Sequence, residues 1–143
     1  MRAVSLAVLS TCAVLAPTLA RAELPPWVYG EQQRQAPVVL RLTVEQGSTR
    51  GGDLHAQGRV LQVIRQPQGG QLKAGQRIWL VYGLPEPRPV AMVGPAPLRR
   101  LQAGETVTAW LQPIPSTRSA FSPAAGGKSF GPTMEEALEP GAP

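Results

Sequence analysis

Val38-Val39-Leu40-Arg41-Leu42-Thr43-Val44-Glu45, then the turn-forming Gly47-Ser48-Thr49-Arg50-Gly51-Gly52, then Asp53 to Arg65 is the stretch that decides the fold. Val38, Leu40, Leu42 and Val44 fall on one side of an extended chain, and Val39, Arg41, Thr43 and Glu45 on the other, which is the period of a half-buried strand. The second segment begins the same way, with Leu54 and Ala56 inward. After Gly58, however, Val60-Leu61-Gln62-Val63-Ile64 is apolar on both faces. A glycine where the alternation breaks predicts a bulge or a sharp coil, the device by which a strand bends from one sheet layer into another. Such bending closes small barrels, so the pair is expected to form the long first hairpin of one.

Three further strands follow from the same reasoning. Gln66-Pro67-Gln68-Gly69-Gly70 is a turn. Gln76 to Tyr82 then alternates, with Ile78, Leu80 and Tyr82 on one face and Trp79 and Val81 on the other. Gly83 to Leu98 carries prolines at 85, 87, 89, 95 and 97, which predicts a stiff, extended connection with no strand of its own. Glu105 to Gln112 places Val107, Ala109 and Leu111 inside and Thr106, Thr108 and Trp110 outside. Phe121 to Phe130 reads as a fifth short strand interrupted by Ala124-Ala125-Gly126-Gly127. Leu72-Lys73-Ala74-Gly75 and Leu101-Gln102-Ala103-Gly104 precede the third and fourth strands alike, with a glycine suited to positive φ in each. Two copies are too few for a repeat protein. They read as one hairpin lead-in used twice.

The ends of the chain have a different character. Met1-Arg2, an apolar run from Ala3 to Ala16, and Leu19-Ala20-Arg21-Ala22 follow the order of a secretory signal peptide, with cleavage expected after Ala22. Pro17 and Arg21 shorten the apolar run below the ~20 residues a bilayer-spanning helix needs. Lipid attachment at Cys12 is disfavoured by the short apolar region before it and by Thr11. Residues 23–36, opening with Pro25-Pro26, are expected to form a short N-terminal helix that ends before Pro37. Residues 37–130 are expected to form the barrel, and 131–143 a flexible acidic tail. The expected location is secreted or periplasmic.

Composition narrows the chemistry. Cys12 is the only cysteine and would leave with the signal peptide, so a mature chain forms no disulfides and rests on an ordinary hydrophobic core. With one histidine and one aspartate, Cys/His and multi-histidine metal sites are not expected, and neither is a cofactor. Of the 14 basic residues, Arg2 and Arg21 lie in the expected signal peptide, which leaves 12 against 9 acidic, or net +3. Three of the acids, Glu135, Glu136 and Glu139, lie in the tail, so the barrel itself is more basic still. A positive surface favours anionic partners such as acidic polysaccharide, nucleic acid or a membrane face, although coding habit and solubility account for arginine as simply.

A spacing pattern runs through these segments: Gly58, Val60 and Val63; Leu72, Gly75, Ile78 and Leu80; Gly104, Val107 and Leu111; Phe121, Gly126, Gly127 and Phe130. It resembles bacterial secreted domains of the OB-fold, netrin-module-like kind over about 95 residues. The resemblance implies a mainly β chain, a small five-stranded OB-like barrel with a short N-terminal helix, and no catalytic residues. Animal members carry disulfides and this chain carries none, so their inhibitor role does not transfer.

Two groups of side chains stand out as candidate sites. Asp53 and His55 share a strand face, and a hairpin centred near Arg50 would set Glu45 opposite His55. Such a trio could bind a cation or move a proton, but a surface ion pair is the plainer expectation. Trp79 and Trp110 both point away from the main apolar face, near Arg59 and Arg77, and exposed aromatics beside arginines are how OB-folds stack bases or sugar rings. The rival arrangement has the helix lie across that face through Trp27, Val28 and Tyr29 and bury both indoles, since Val39 and Val81 also need cover. The sequence therefore predicts an exported, non-enzymatic binding module, with an anionic envelope macromolecule as its expected partner. An accessory subunit of an envelope complex is the alternative.

Overall fold

The structure, a computed structural model, describes residues 24–85 and 95–134. The expected signal peptide, most of the proline-rich connection and the three glutamates of the tail lie outside them. Helix α1 (Pro26–Gln35) precedes five strands, β1 (Val38–Arg50), β2 (Asp53–Arg65), β3 (Arg77–Gly83), β4 (Thr106–Pro113) and β5 (Ala120–Pro123). They close in the order β1-β2-β3-β5-β4, with β4 returning to β1; every neighbouring pair is antiparallel except β3 and β5, which run parallel. The mainly β class, five-stranded barrel and short N-terminal helix are thus as the alternation predicts.

The first hairpin is longer than its glycines imply. Gly47 to Arg50 belong to β1, and the turn is only Gly51-Gly52, with φ of 58° and 90°. Two positive φ values in a two-residue loop match the twist of the flanking strands. Three register shifts bend the hairpin. One lies between Val44 and Gln46, so that Glu45 and Gln46 both point outward and Gly47 resumes the inner side. The other two leave Leu61 and Ile64 as the extra residues of β2, and both are exposed for that reason. Gly58 does not form the bulge: it faces inward, where an added Cβ would meet the Leu42 Cδ1 at 3.1 Å.

One continuous core fills the barrel: Val38, Leu40, Leu42 and Val44 of β1, Leu54, Ala56 and Val60 of β2, Ile78, Leu80 and Tyr82 of β3, Val107, Ala109 and Leu111 of β4, and Phe121. The twin Leu-x-Ala-Gly segments are the same device in three dimensions. Gly75 and Gly104 have φ of 86° and 89°. The Gly75 N–H donates to the Val60 carbonyl at 2.7 Å and the Gly104 N–H to that of Val44, also at 2.7 Å. The next residue, Gln76 or Glu105, folds its side chain back to accept the N–H of Lys73 or Gln102. Each turn lays its leucine across one end of the barrel, Leu101 at the end bearing the β1–β2 turn and Leu72 at the other. At the Leu101 end the Tyr82 hydroxyl donates to the Arg99 carbonyl at 2.8 Å and accepts the Leu101 N–H at 3.3 Å, and its ring lies 5.4 Å from that of Phe130. Burial raises the Tyr82 pKa above 10.0 by disfavouring the phenolate.

Outside the barrel, α1 lies against the 3-10 turn Gly126–Lys128 that follows β5, with Trp110 of β4 lining the crevice at its edge. Pro26 starts it where its missing N–H costs nothing. Gln33, 3 % exposed, donates to the Lys128 carbonyl at 2.9 Å and accepts the Met134 N–H at 2.8 Å. The start of the expected tail is therefore docked, with Met134 buried. At the other end of the helix Arg65 donates to the carbonyls of Gln33, Arg34 and Ala36, the groups a helix C-terminus leaves unpaired and that favour a cation. The fifth strand is shorter than the span to Phe130 implies: Gly126–Lys128 is a 3-10 turn, and Phe130 rejoins the sheet by a single bridge to Ala109.

Candidate functional site

The outer face of β2 and β3 holds the one group of expected site residues that the fold brings together. Gln57 stands opposite Trp79 and Arg59 opposite Arg77 across the antiparallel pair. Like charges directly opposite one another are unfavourable, and here Glu45 on the outer side of β1 supplies the remedy. It lies over the two guanidiniums: Arg59 Nε donates to its Oε1 at 2.6 Å and Arg77 Nε to its Oε2 at 2.9 Å. The hydrogen bond from Arg59 acts most strongly on the Glu45 carboxyl; burial opposes it, and the hydrogen bond from Arg77 with the two positive charges keeps the pKa below the usual 4.5. Gln46 bonds the Gln57 carbonyl oxygen at 2.9 Å and extends the polar face.

Trp79 is 40 % exposed and sits between Gln57 on β2 and Ala120 on β5. Flanked by these short or polar side chains and two residues from Arg77 on the same face, its indole is open to a planar ligand. Trp110 is not. It points outward from β4, as the alternation predicts, but is 4 % exposed beneath Ala36, Val39, Ala124 and Ala125. Its backbone N–H donates to the Ser129 carbonyl and its carbonyl accepts the Ala124 N–H, while the buried indole belongs to a second, smaller apolar cluster and is not open to a ligand. The small residues at 36, 124 and 125 are the sequence signal of that burial, since they leave room for an indole.

The Asp53, His55 and Glu45 trio does not assemble. Ser48, rather than Glu45, stands opposite His55, because the turn is centred between Gly51 and Gly52 rather than near Arg50. Among the described residues no three His, Cys, Asp or Glu side chains are grouped as metal ligands, and no described helix is long and apolar enough to cross a membrane.

Two surface depressions were not anticipated from sequence. One, about 280 Å³, lies against Arg41, Arg99, Glu105 and Thr108. The other, about 390 Å³, opens at the Leu72 end of the barrel beside Arg118. Both are joined from residues far apart in the chain, which no local pattern reveals. No protein-family model matches the chain, and no curated protein is significantly similar to it in sequence.

Proposed function

We propose that the chain is an exported, non-enzymatic binding module of OB-like build that takes an anionic envelope macromolecule, such as an acidic polysaccharide, on the β2–β3 face. The observation carrying this reading is Trp79, exposed on a sheet beside Arg77 and Arg59. A ring face stacks on an indole while sulfate or carboxylate groups meet the guanidiniums. Without the expected signal peptide the chain carries 12 basic against 9 acidic side chains, three of the acids in the C-terminal tail, which draws polyanions toward the molecule. Export rests on the N-terminal pattern, and the OB-like reading on the closed strand order with its parallel β3–β5 contact together with the glycine and apolar spacings.

Retention on immobilised heparin tests the reading. The wild-type chain should elute at moderate salt, and Trp79→Ala should lose about 1–3 kcal/mol of affinity if the indole stacks a ring. Arg77→Ala should elute earlier, with the slope of log affinity against log salt reduced by about one. Wild-type protein that flows through at low salt, or variants that elute with it, would refute the assignment. An accessory subunit of an envelope complex is a second reading, favoured by Trp27, 63 % exposed on α1, and by Leu61 and Ile64; stable co-purification of other envelope proteins in moderate salt would separate it from a ligand-binding module.

A further inference from the structure

The two leucine turns are built alike and seal the barrel unequally. Leu101 is buried, 3 % exposed, and its backbone N–H is held by the Tyr82 hydroxyl. Leu72 is only half-buried, and beside it opens the cavity of about 390 Å³, within the ~300–1,000 Å³ usual for small-molecule sites. Val38 from the start of β1, Phe121 from β5, Pro113 from the end of β4 and Leu72 give it apolar walls, and Arg118 of the β4–β5 turn lines it at the solvent side.

The wall formed by the β2–β3 loop is braced without a ligand. The Gln66 side-chain amide accepts the Leu72 N–H at 3.0 Å and donates to its carbonyl at 3.4 Å. A Cβ at Gly70 would strike that amide, 2.5 Å from its Oε1, so the clasp depends on glycine there. Among the described residues no acid pairs with this cation: Glu31, Glu45 and Glu105 bind other arginines, Asp53 lies at the opposite end of the barrel, and no acid lines the cavity.

We propose that this end of the barrel binds a monoanionic amphiphile, a medium-chain carboxylic acid, with its chain against Val38, Leu72 and Phe121 and its carboxylate on Arg118. A guanidinium takes one carboxylate in paired, parallel hydrogen bonds, and the burial of the alkyl chain against the apolar wall supplies the rest of the affinity. A polyanion would meet a single cation here, against the two on the sheet face. The site is independent of the polysaccharide reading.

Calorimetric titration of the full chain with decanoate tests it, with decanol and inorganic phosphate as parallel probes. Decanoate should bind one-to-one, decanol about tenfold or more weakly, and phosphate without measurable heat. Arg118→Ala should weaken decanoate about 10- to 100-fold, the loss expected of a charge-assisted hydrogen bond, while Arg118→Lys retains part of the affinity. The variants are checked for an unchanged melting temperature, which an exposed position permits. No binding of decanoate by the wild-type chain, equal binding of decanoate and decanol, phosphate binding as tight as decanoate, or indifference to Arg118→Ala would each overturn the proposal.

Discussion

Glu45 governs the charge of the sheet face. With both guanidiniums bound to one carboxylate the trio carries net +1; without the carboxylate charge it carries +2. Glu45→Gln should therefore tighten binding to heparin and steepen its salt dependence by about one unit of slope, at a small loss of stability because Arg59 and Arg77 then face each other without the carboxylate between them. The same sign holds for pH. The arginines lower the Glu45 pKa, so the pairing is intact above its usual value of 4.5 and is lost as pH falls through the depressed value. Affinity for a sulfated polymer, which stays ionised, should rise over that acid window, and the Glu45→Gln variant should show no such rise. The sequence could name Arg59, Arg77, Trp79 and Glu45 but not their grouping. Register is a relation between two strands, and neither strand's own alternation records where the other slips.

At the scale of elements, the alternating runs were legible because one face of each strand is buried in a single core: β2, β3 and β4 begin and end close to where their patterns do, and β1 begins where its pattern does but runs on through Gly47 to Arg50. Positive φ at Gly75 and Gly104 was legible as well, from the repeated Leu-x-Ala-Gly. The layer outside the barrel was not. Whether an outward indole is wet or covered depends on where α1 and the 124–134 segment lie, and α1 is held by long-range contacts from Gln33 and Arg65 rather than by a marked apolar stripe. Arg65→Ala tests that attachment. Losing a guanidinium shared among three C-terminal carbonyls should cost about 1 kcal/mol, and the emission of Trp110, which lines a crevice with Gly30, Gln33 and Arg65, should shift to the red. A variant with wild-type stability and emission would show that α1 is held without Arg65.

For the whole molecule, the closed barrel divides the surface into separate provinces. One end is sealed by Leu101, Tyr82 and Phe130; the other is left open beside Leu72; α1 packs on the 3-10 turn beside Trp110 of β4; and the β2–β3 side stays bare with its arginines and Trp79. The chain has three tryptophans, Trp27, Trp79 and Trp110, in three different settings, which makes the proposed binding face directly testable. In a nitrogen-15 correlation spectrum of the full chain, with the indole signals assigned by Trp79→Phe and Trp27→Phe, heparin should move the Trp79 indole signal, leave that of Trp110 in place, and lose its effect in high salt. An unmoved Trp79 signal, or a response confined to Trp27, would contradict the account.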